Sequence, residues 1–415
     1  MIPLLASSRF WFKRKIIMKD KELIEEKLNQ ATQILREYDI DLWLTFARET
    51  VTMPDPILEL ILGFTVTWHS AFILSKSGRK VAIVGRYESD SVRNLDLYDE
   101  VIGYDMGIGR HLVSTLDEFE PRKIAINYSQ SDVAADGLSH GNFLTLSGYL
   151  QDTVYIDRLV SAENIISALR GRKTPLEINR VRRAIEVTET VLDRVSDTVS
   201  PGMTQRQIAS MFQGQIENQG FGYAWDKLHN PIVTCGPESA IGHTIPGDVA
   251  LEKGHTLHID FGVKVNEYCS DIQRMWYVLE DGETSAPDDV QHAFNTVYGA
   301  LKAGEKVIKP GIEGCQVDAV ARQFVLDAGY TEFMHAFGHL LGRSAHDGAT
   351  ILGPLWEKYE GLSNRKVEAG NIFTLELHVP VPGRGIMSLE EDVVVTENGV
   401  EYLTNPQEEL RYIRP

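Results

Sequence analysis

Three histidines lie close together in the segment HAFGHLLGRSAHD, residues 335 to 347. His335 and His339 are four residues apart, and His346 follows seven residues later. Imidazoles bind transition metals and exchange protons near neutral pH, so such a group can do either kind of chemistry. The glycines between them disfavour a helix, because glycine costs about 1 kcal/mol at each helical position. We therefore expect an extended or turning backbone, in which any one histidine alone is more often a hydrogen-bonded core residue.

Two aspartates flank a polar bend in HTLHIDFGVKVNEYCSDIQRMW, residues 255 to 276. Apolar and polar residues alternate before the bend, which is the period of a strand with one polar face, and Asp260 lies on that face. If the chain bends at Val265 and Asn266, Asp260 lies directly opposite Asp271, about 5 Å away. Two such charges repel unless a proton or a cation lies between them. A bound metal is one explanation, and a pair of solvated hairpin acids is the other.

Two later segments, NIFTLELHV and SLEEDVVVT, show the same alternation. In the first, Glu376 and His378 lie on the face opposite the apolar residues. In the second, Ser388 and Glu390 share the polar face, so the periodicity selects Glu390 rather than Glu391 for a shared site. Buried glutamates are rare unless they are paired or bind a metal. Taken singly, each could also be a salt-bridge partner.

Together these segments supply four carboxylates and one imidazole as candidate metal ligands. The set is larger than a structural zinc site needs and is rich in oxygen. It therefore favours manganese-like ions and a bridged centre with two metals, and it leaves the remaining histidines free for proton transfer. The four acids are Asp260, Asp271, Glu376 and Glu390, and the imidazole is one of the three histidines of the segment 335 to 347.

The elements that must carry these residues fall into two parts. In the first, DLWLTF, KVAIVG and KIAINY are typical of short apolar strands that follow an amphipathic helix, which predicts an α/β domain over residues 18–160. Residues 160–174 are the predicted joint. Thr174, Pro175 and Glu177 then combine an N-cap, an N1 proline and a capping-box acid, which predicts a long helix beginning there.

From residue 172 to residue 415, helices and strands are mixed without regular βαβ spacing. This pattern predicts an α+β domain. Helices are expected over QRQIASMFQGQIENQG and as a pair between residues 288 and 328, and the end is rich in strands. A chain of 415 residues also exceeds the size of a single hydrophobic core, which favours two domains.

Composition narrows the classes of partner. The chain has 41 basic and 59 acidic residues and a formal charge of -18, which repels phosphate backbones and anionic lipid, so we expect neither nucleic acid nor membrane as a partner. Three cysteines without a CxxC spacing indicate a reducing compartment. The first seventeen residues place charge after a short apolar run, the reverse of a secretory signal, with Met18 as an alternative start. A cytoplasmic protein is expected.

The ordered ligand set and its flanking motifs resemble those of the pita-bread metallopeptidases. That family includes prolidase, aminopeptidase P, methionine aminopeptidase and the metal-free creatinase. The likeness spans roughly residues 170 to 405 and includes HxxGHxxGxxxHD around the histidines. It also includes PIVTCGPESAIGH, which is similar to the family's substrate-side segment and ends in His243. The resemblance implies a C-terminal pita-bread catalytic domain, and the preceding α/β domain is similar in length and pattern to the creatinase/prolidase N-terminal domain.

The resemblance also implies a role for each candidate ligand. Asp260 would bind one metal bidentately, Asp271 and Glu390 would bridge two, and His339 and Glu376 would complete the shells. A hydroxide between the metals would then attack an amide carbonyl. Glu376 would also carry a proton to the leaving amine.

Further positions carry over as supporting residues. By resemblance, His243, His335 and His346 would steady the substrate and the oxyanion. Arg274, in SDIQR, matches a family arginine that lies behind the bridging aspartate. No organic cofactor is predicted, and a homodimer is expected because family members commonly dimerise through the N-terminal domain.

Two positions depart from the family pattern. Most peptidase members have Pro-Gly after the first glutamate, whereas this chain reads LELHVP and places His378 beside the site. Prolidase-like members usually carry an arginine two residues before the second glutamate, and here that position is Ser388. Arg384, in the preceding loop, is a candidate substitute. These departures leave the ligands intact and put the proline-specific pocket in question.

Three readings of function follow. The first is an Xaa-Pro aminopeptidase or dipeptidase that acts on a small peptide or amide with two divalent ions, Mn²⁺ foremost and Co²⁺ or Zn²⁺ as alternatives. The second is a metal-dependent hydrolase or lyase of a small non-peptide metabolite on the same fold. The third is a pseudo-peptidase that serves as a binding module, since fold alone does not prove function.

Overall fold

A computed structural model describes the backbone of residues 6–414 and the side chains of residues 20–414. The chain divides into two compact units between Arg170 and Gly171. Within residues 6–414, no helix combines the length and the apolar character that a bilayer span requires. The alternative start at Met18 concerns residues 1–17, whose side chains are not among those that the structure describes.

The N-terminal unit contains a six-stranded sheet in the order β4-β3-β2-β1-β5-β6. Its central strands are buried on both faces: Leu42 and Leu44 pack into one apolar cluster, while Trp43 packs into another. This explains the continuous apolar runs of the predicted strands, which are confirmed. The elements are α1 (Ala6–Glu37), β1 (Leu42–Ala47), α2 (Leu58–Ile61), β2 (Ser70–Ser75), β3 (Lys80–Gly85), α3 (Arg86–Leu95), β4 (Glu100–Tyr104), α4 (Gly109–Phe119), β5 (Ile124–Ile126), α5 (His140–Leu150), β6 (Leu159–Ser161) and α6 (Glu163–Gly171).

Helix α6 occupies most of the predicted joint, and α7 (Pro175–Ser196) begins after it. The N-terminus of α7 has the predicted capping box. The Thr174 hydroxyl accepts from the Glu177 backbone N–H, and the Glu177 carboxylate accepts from the Thr174 backbone N–H. These bonds satisfy two of the otherwise unpaired N–H groups at the start of the helix.

The C-terminal unit contains a seven-stranded sheet whose main path runs β15-β16-β12-β9-β8, with β17 beside β16 and β18 beside β12. Its mainly antiparallel pairing confirms the α+β class. Besides α7, the elements are α8 (Gln205–Gln219), β7 (Gly222–Tyr223), β8 (Ile232–Cys235), β9 (Thr256–Phe261), β10 (Val263–Val265), β11 (Tyr268–Cys269), β12 (Ile272–Val278), α9 (Asp288–Glu305), α10 (Gly314–Asp327), β13 (Gly338–His339), β14 (Ile351–Leu352), β15 (Ile372–Val381), β16 (Gly385–Thr396), β17 (Gly399–Tyr402) and β18 (Arg411–Ile413).

One face of this sheet is apolar and is covered by α9 and α10. Leu375, Leu377 and Leu389 lie on that face and share a buried cluster with Phe294 of α9 and Val317 of α10. Side chains alternate along a strand, so the intervening residues of β15 and β16 must lie on the opposite face. The acids predicted to meet are therefore gathered on the face that the helices leave uncovered.

The predicted register of the aspartate hairpin is wrong by two residues. Asp260 lies opposite Gln273, not opposite Asp271. The chain turns one residue later than predicted, at Asn266 and Glu267, which both have positive φ angles. Because the shift is two residues and strand side chains alternate with period two, Asp271 stays on the same face as Asp260.

Candidate metal centre

Four polar side chains form one row across the sheet. Glu376 of β15 pairs with Glu390 of β16, Glu390 pairs with Gln273 of β12, and Gln273 pairs with Asp260 of β9. Paired residues in an antiparallel sheet lie about 5 Å apart on the same face. Four neighbouring strands thus bring three carboxylates, which are up to 130 positions apart in the chain, into one row.

Asp271 lies one step along the strands from this row. It precedes the first residue of β12 and lies outside the regular ladder of hydrogen bonds between strands. Its backbone N–H instead donates to the Asp392 carboxylate at 3.3 Å. The backbone segments around Gly262 and Ser270 pass very close to each other. This close approach requires a glycine, since a Cβ at position 262 would lie 2.2 Å from the Ser270 carbonyl oxygen. Gly262 therefore allows the bend that directs Asp271 toward the row.

A short strand places His339 over the same acids. The Glu376 N–H donates to the Phe337 carbonyl at 2.8 Å, and the His339 N–H donates to the Thr374 hydroxyl at 3.2 Å, so β13 runs along the edge of β15. A Cβ on Gly338 would lie 2.0 Å from the Thr374 carbonyl oxygen, which explains the glycine in this motif. The expectation that the histidine motif is not helical is confirmed.

The five predicted ligands meet at one place. His339 Nε2 lies 3.8 Å from Asp271 Oδ2, 3.7 Å from Glu376 Oε1 and 3.9 Å from Glu390 Oε1. Ligand atoms of Asp271, His339 and Glu390 all lie within 4.8 Å of one another. Among the described residues, buried Asp260 Oδ1 has no hydrogen-bond partner. Oxygen-rich donors packed this closely, one of them unpartnered, fit a divalent cation.

Burial raises the pKa of every acid in this cluster. Burial, reinforced by the charges of neighbouring acids, raises the pKa values of Asp260, Asp271 and Glu390 well above their usual range. Burial raises the pKa of Glu376 to about 7. Burial, helped by nearby His346, lowers the pKa of His339, so its imidazole is neutral and free to bind a metal.

These shifts predict how stability depends on pH. Raised carboxyl pKa values mean that the metal-free folded protein binds more protons than the unfolded chain. Its free energy of unfolding should therefore fall as pH rises from the ordinary Glu376 value of 4.5 to about 7, by on the order of 3 kcal/mol for this group alone. Denaturant unfolding of chelator-treated protein across this range measures the effect. A divalent ion should remove the loss, and a rise in stability with pH in the metal-free protein would contradict it.

The other predicted histidines fall into two pairs. His346 packs edge-on against His339 with ring centroids 4.3 Å apart, and His243 stacks beside His346 at 6.5 Å. His335 instead stacks on His378, and its Nε2 lies 3.1 Å from His378 Nδ1. His243 and His346 therefore lie near His339, the candidate metal ligand. His335 instead contacts His378, one of the two residues that depart from the family pattern.

Three residues of this site were not singled out by the sequence pattern. Gln273 donates through Nε2 to Glu376 at 2.8 Å and to Glu390 at 3.0 Å. His258 and Thr234 pair across β8 and β9 on the same face. Period two from Asp260 and Asp271 could have selected His258 and Gln273, whereas Thr234 lies on a strand whose pairing the sequence does not indicate.

Of the two arginines noted in the sequence, Arg274 lies behind the candidate ligands and Arg384 lies outside the site. Arg274 lies on the other face of β12 and donates at 3.0 Å to both Glu391 carboxylate oxygens and to the Glu390 carbonyl. It supports the backbone of one candidate ligand from behind. Arg384 donates to Asp289, to the Tyr277 hydroxyl and to a backbone carbonyl, so it does not substitute for an arginine at Ser388.

Comparison with known proteins agrees with this architecture. The metallopeptidase family M24 matches residues 179–397, more than half of the chain. An uncharacterized peptidase of Staphylococcus saprophyticus is 27% identical over 384 residues, 91% of this chain and 99% of that protein.

Two solved structures share the fold over nearly the whole chain. The X-Pro aminopeptidase of Thermotoga maritima is 25% identical with a TM-score of 0.70, covering 92% of this chain and 100% of that one. The Xaa-Pro dipeptidase of Bacillus anthracis is 23% identical with a TM-score of 0.72, covering 94% and 100%. The resemblance inferred from the ordered acids and histidines is confirmed. The chain belongs to metallopeptidase family M24 and is a metallohydrolase with the pita-bread fold of that family.

Proposed function

We propose that the protein is a dinuclear-metal peptidase that cleaves Xaa-Pro bonds, as an aminopeptidase or a dipeptidase. The observation that carries this proposal is the convergence of four acids and one imidazole on one face of the sheet. The proposed ligands are Asp260, Asp271, His339, Glu376 and Glu390. Mn²⁺ is the proposed metal because most donors are carboxylates, and Co²⁺ and Zn²⁺ are the alternatives.

The protein's own residues would supply binding and proton transfer. Bound divalent ions would provide Lewis acidity toward an amide carbonyl and lower the pKa of a water molecule. Glu376 accepts a hydrogen bond from Gln273 and lies 3.7 Å from His339 Nε2, and it would carry the proton to the leaving amine. His346, which packs against His339, and His243, which stacks beside His346, would contact the substrate, while His335 would act together with His378.

Turnover of Xaa-Pro dipeptides and tripeptides, before and after metal removal, tests the proposal. We expect chelation to abolish activity and Mn²⁺ to restore it. Glu376→Gln should lower kcat by at least about 10²-fold, because a carboxamide cannot take up the proton. Glu397→Gln, on the exposed turn after β16, is the matched control and should keep activity. Hydrolysis that is indifferent to chelation would refute the assignment.

A second candidate is a hydrolase or lyase of a small non-peptide metabolite. The observation that favours it is the presence of Ser388 and His378, the two departures from the family pattern, in the wall of the cavity beside the acids. Turnover of small cyclic amides, compatible solutes and guanidino compounds, measured beside the Xaa-Pro panel, separates the two. A pseudo-peptidase is the third candidate, and purified protein without bound or restorable metal would favour it.

We also propose the remaining attributes of the molecule. The domains would be residues 18–160 and 172–415, and the protein would be a cytoplasmic homodimer without nucleic-acid or membrane partners. The acidic charge of -18 supports the absence of nucleic-acid and lipid partners. Three free cysteines, two of them buried, support a reducing compartment.

A further inference from the structure

A small cavity of about 180 Å³, with both polar and apolar residues in its wall, lies beside the candidate metal ligands. It borders Asp260 and Glu376, and its wall includes Thr234, His258 and Ser388. Neither lysine nor arginine occurs among the described residues that line it. Since a water molecule takes up about 30 Å³ in the liquid, the cavity has room for a small group of a few non-hydrogen atoms.

The hydrogen bonds of Gln273 define which ring nitrogen of the wall residue His258 carries a hydrogen. Its Nε2 donates to the Glu376 and Glu390 carboxylates, so its Oε1 is directed the other way. That oxygen lies 2.9 Å from His258 Nε2 and accepts from the Ser388 hydroxyl at 2.5 Å. A carboxamide oxygen only accepts hydrogen bonds, so the proton of neutral His258 is on Nε2. His258 Nδ1 is consequently an acceptor.

Two buried atoms of this wall lack partners. His258 Nδ1 and Thr234 Oγ1 make no hydrogen bond within the described residues, although the two residues are only 6% and 3% exposed. Leaving a buried polar group unpaired costs about 1–3 kcal/mol, so native proteins rarely do so without a reason. The residues are opposite each other on β8 and β9, which sets an acceptor and a hydroxyl donor side by side.

We propose that this pair binds a primary carboxamide of the substrate, a specificity that rests on the metal-dependent hydrolase function proposed above. The amide NH₂ would donate to His258 Nδ1, and the amide oxygen would accept from the Thr234 hydroxyl. Carboxylate, alkyl and ammonium groups match less well. A carboxylate has no hydrogen for His258 Nδ1, an alkyl group leaves both atoms unpaired, and an ammonium group would be repelled by divalent ions held at Asp260 and Glu376.

Matched inhibitors test this assignment without turnover. The hydroxamates of asparagine and glutamine carry a carboxamide, and those of leucine and methionine are close apolar counterparts. Each hydroxamate group chelates a metal, so the side chain is left to enter the cavity. Isothermal titration calorimetry of the Mn²⁺-loaded full-length protein should show the amide compounds binding at least about tenfold more tightly.

Two variants locate the preference. Thr234→Val keeps the shape of the side chain and breaks no bond of the described structure, so the preference for the amide compounds should fall by about tenfold. Ser147→Ala, on α5, removes another unpartnered buried hydroxyl outside the cavity and should leave the preference intact. If all four compounds bind the wild-type protein equally well, the carboxamide site is refuted while the metal centre stands. If none binds, the metal centre is refuted, and the carboxamide site with it.

Discussion

We expect His339→Ala to lower both the metal content and kcat/KM of the protein, the latter by at least about 10³-fold. The imidazole Nε2 lies within 4 Å of a carboxylate oxygen of each of Asp271, Glu376 and Glu390. Without it, the acids keep their mutual repulsion and lose a neutral ligand. Metal analysis by mass spectrometry and steady-state kinetics measure the two effects.

A matched substitution separates metal loss from general damage. His292 is exposed on α9, so His292→Ala removes the same side chain away from the acids and should keep both metal and activity. The free energy of unfolding of the His339→Ala protein should also depend on pH in nearly the same way as that of chelator-treated wild-type protein. Full activity and full metal content in His339→Ala would remove this residue from the centre.

Arg274→Met should lower the free energy of unfolding by about 3–5 kcal/mol. Arg274 is 1% exposed and makes a two-pronged contact with Glu391, itself 2% exposed. It also donates to the Glu390 and Asn405 carbonyls. Removing the guanidinium leaves a buried carboxylate without its counter-charge and two carbonyls without a donor. Thermal and urea unfolding of metal-free protein measure the loss.

The partner substitution identifies the cause of that loss. Arg274→Met combined with Glu391→Leu removes both charges and should recover a large part of the stability, because a buried ion pair contributes little beyond an apolar pair of similar size. Arg183→Met breaks an exposed pair with Glu186 on α7 and should change stability by less than about 1 kcal/mol. A double variant as unstable as Arg274→Met alone would show that the lost carbonyl bonds dominate.

Local periodicity was sufficient to choose between adjacent acids. Glu390 and Glu391 are neighbours in the sequence, yet only Glu390 is on the face of the candidate ligands, while Glu391 pairs with Arg274 on the other. Alternation along a strand determines this outcome whatever the partner strand is. The capped start of α7 is predictable for the same reason, since all its bonds join residues three positions apart.

The register between neighbouring strands could not be predicted from local periodicity. Asp260 was expected opposite Asp271, and the structure places it opposite Gln273, because the turn uses positive φ at Asn266 and Glu267. Gln273 therefore joins the row of acids and holds Glu376 and Glu390 through its amide. Thr234 reaches the same cavity from β8, and nothing near it in the chain indicates that pairing.

The amino-acid sequence by itself determined which acids and histidines this protein offers to a metal and on which face of each strand they lie, since both depend on residue identity and a two-residue repeat. Only the tertiary structure decided that Glu376, Glu390, Gln273 and Asp260 form one row and that β13 carries His339 above it. Those placements depend on hydrogen bonds between strands far apart in the chain, and local alternation contains no information about which distant strands pair or in what register.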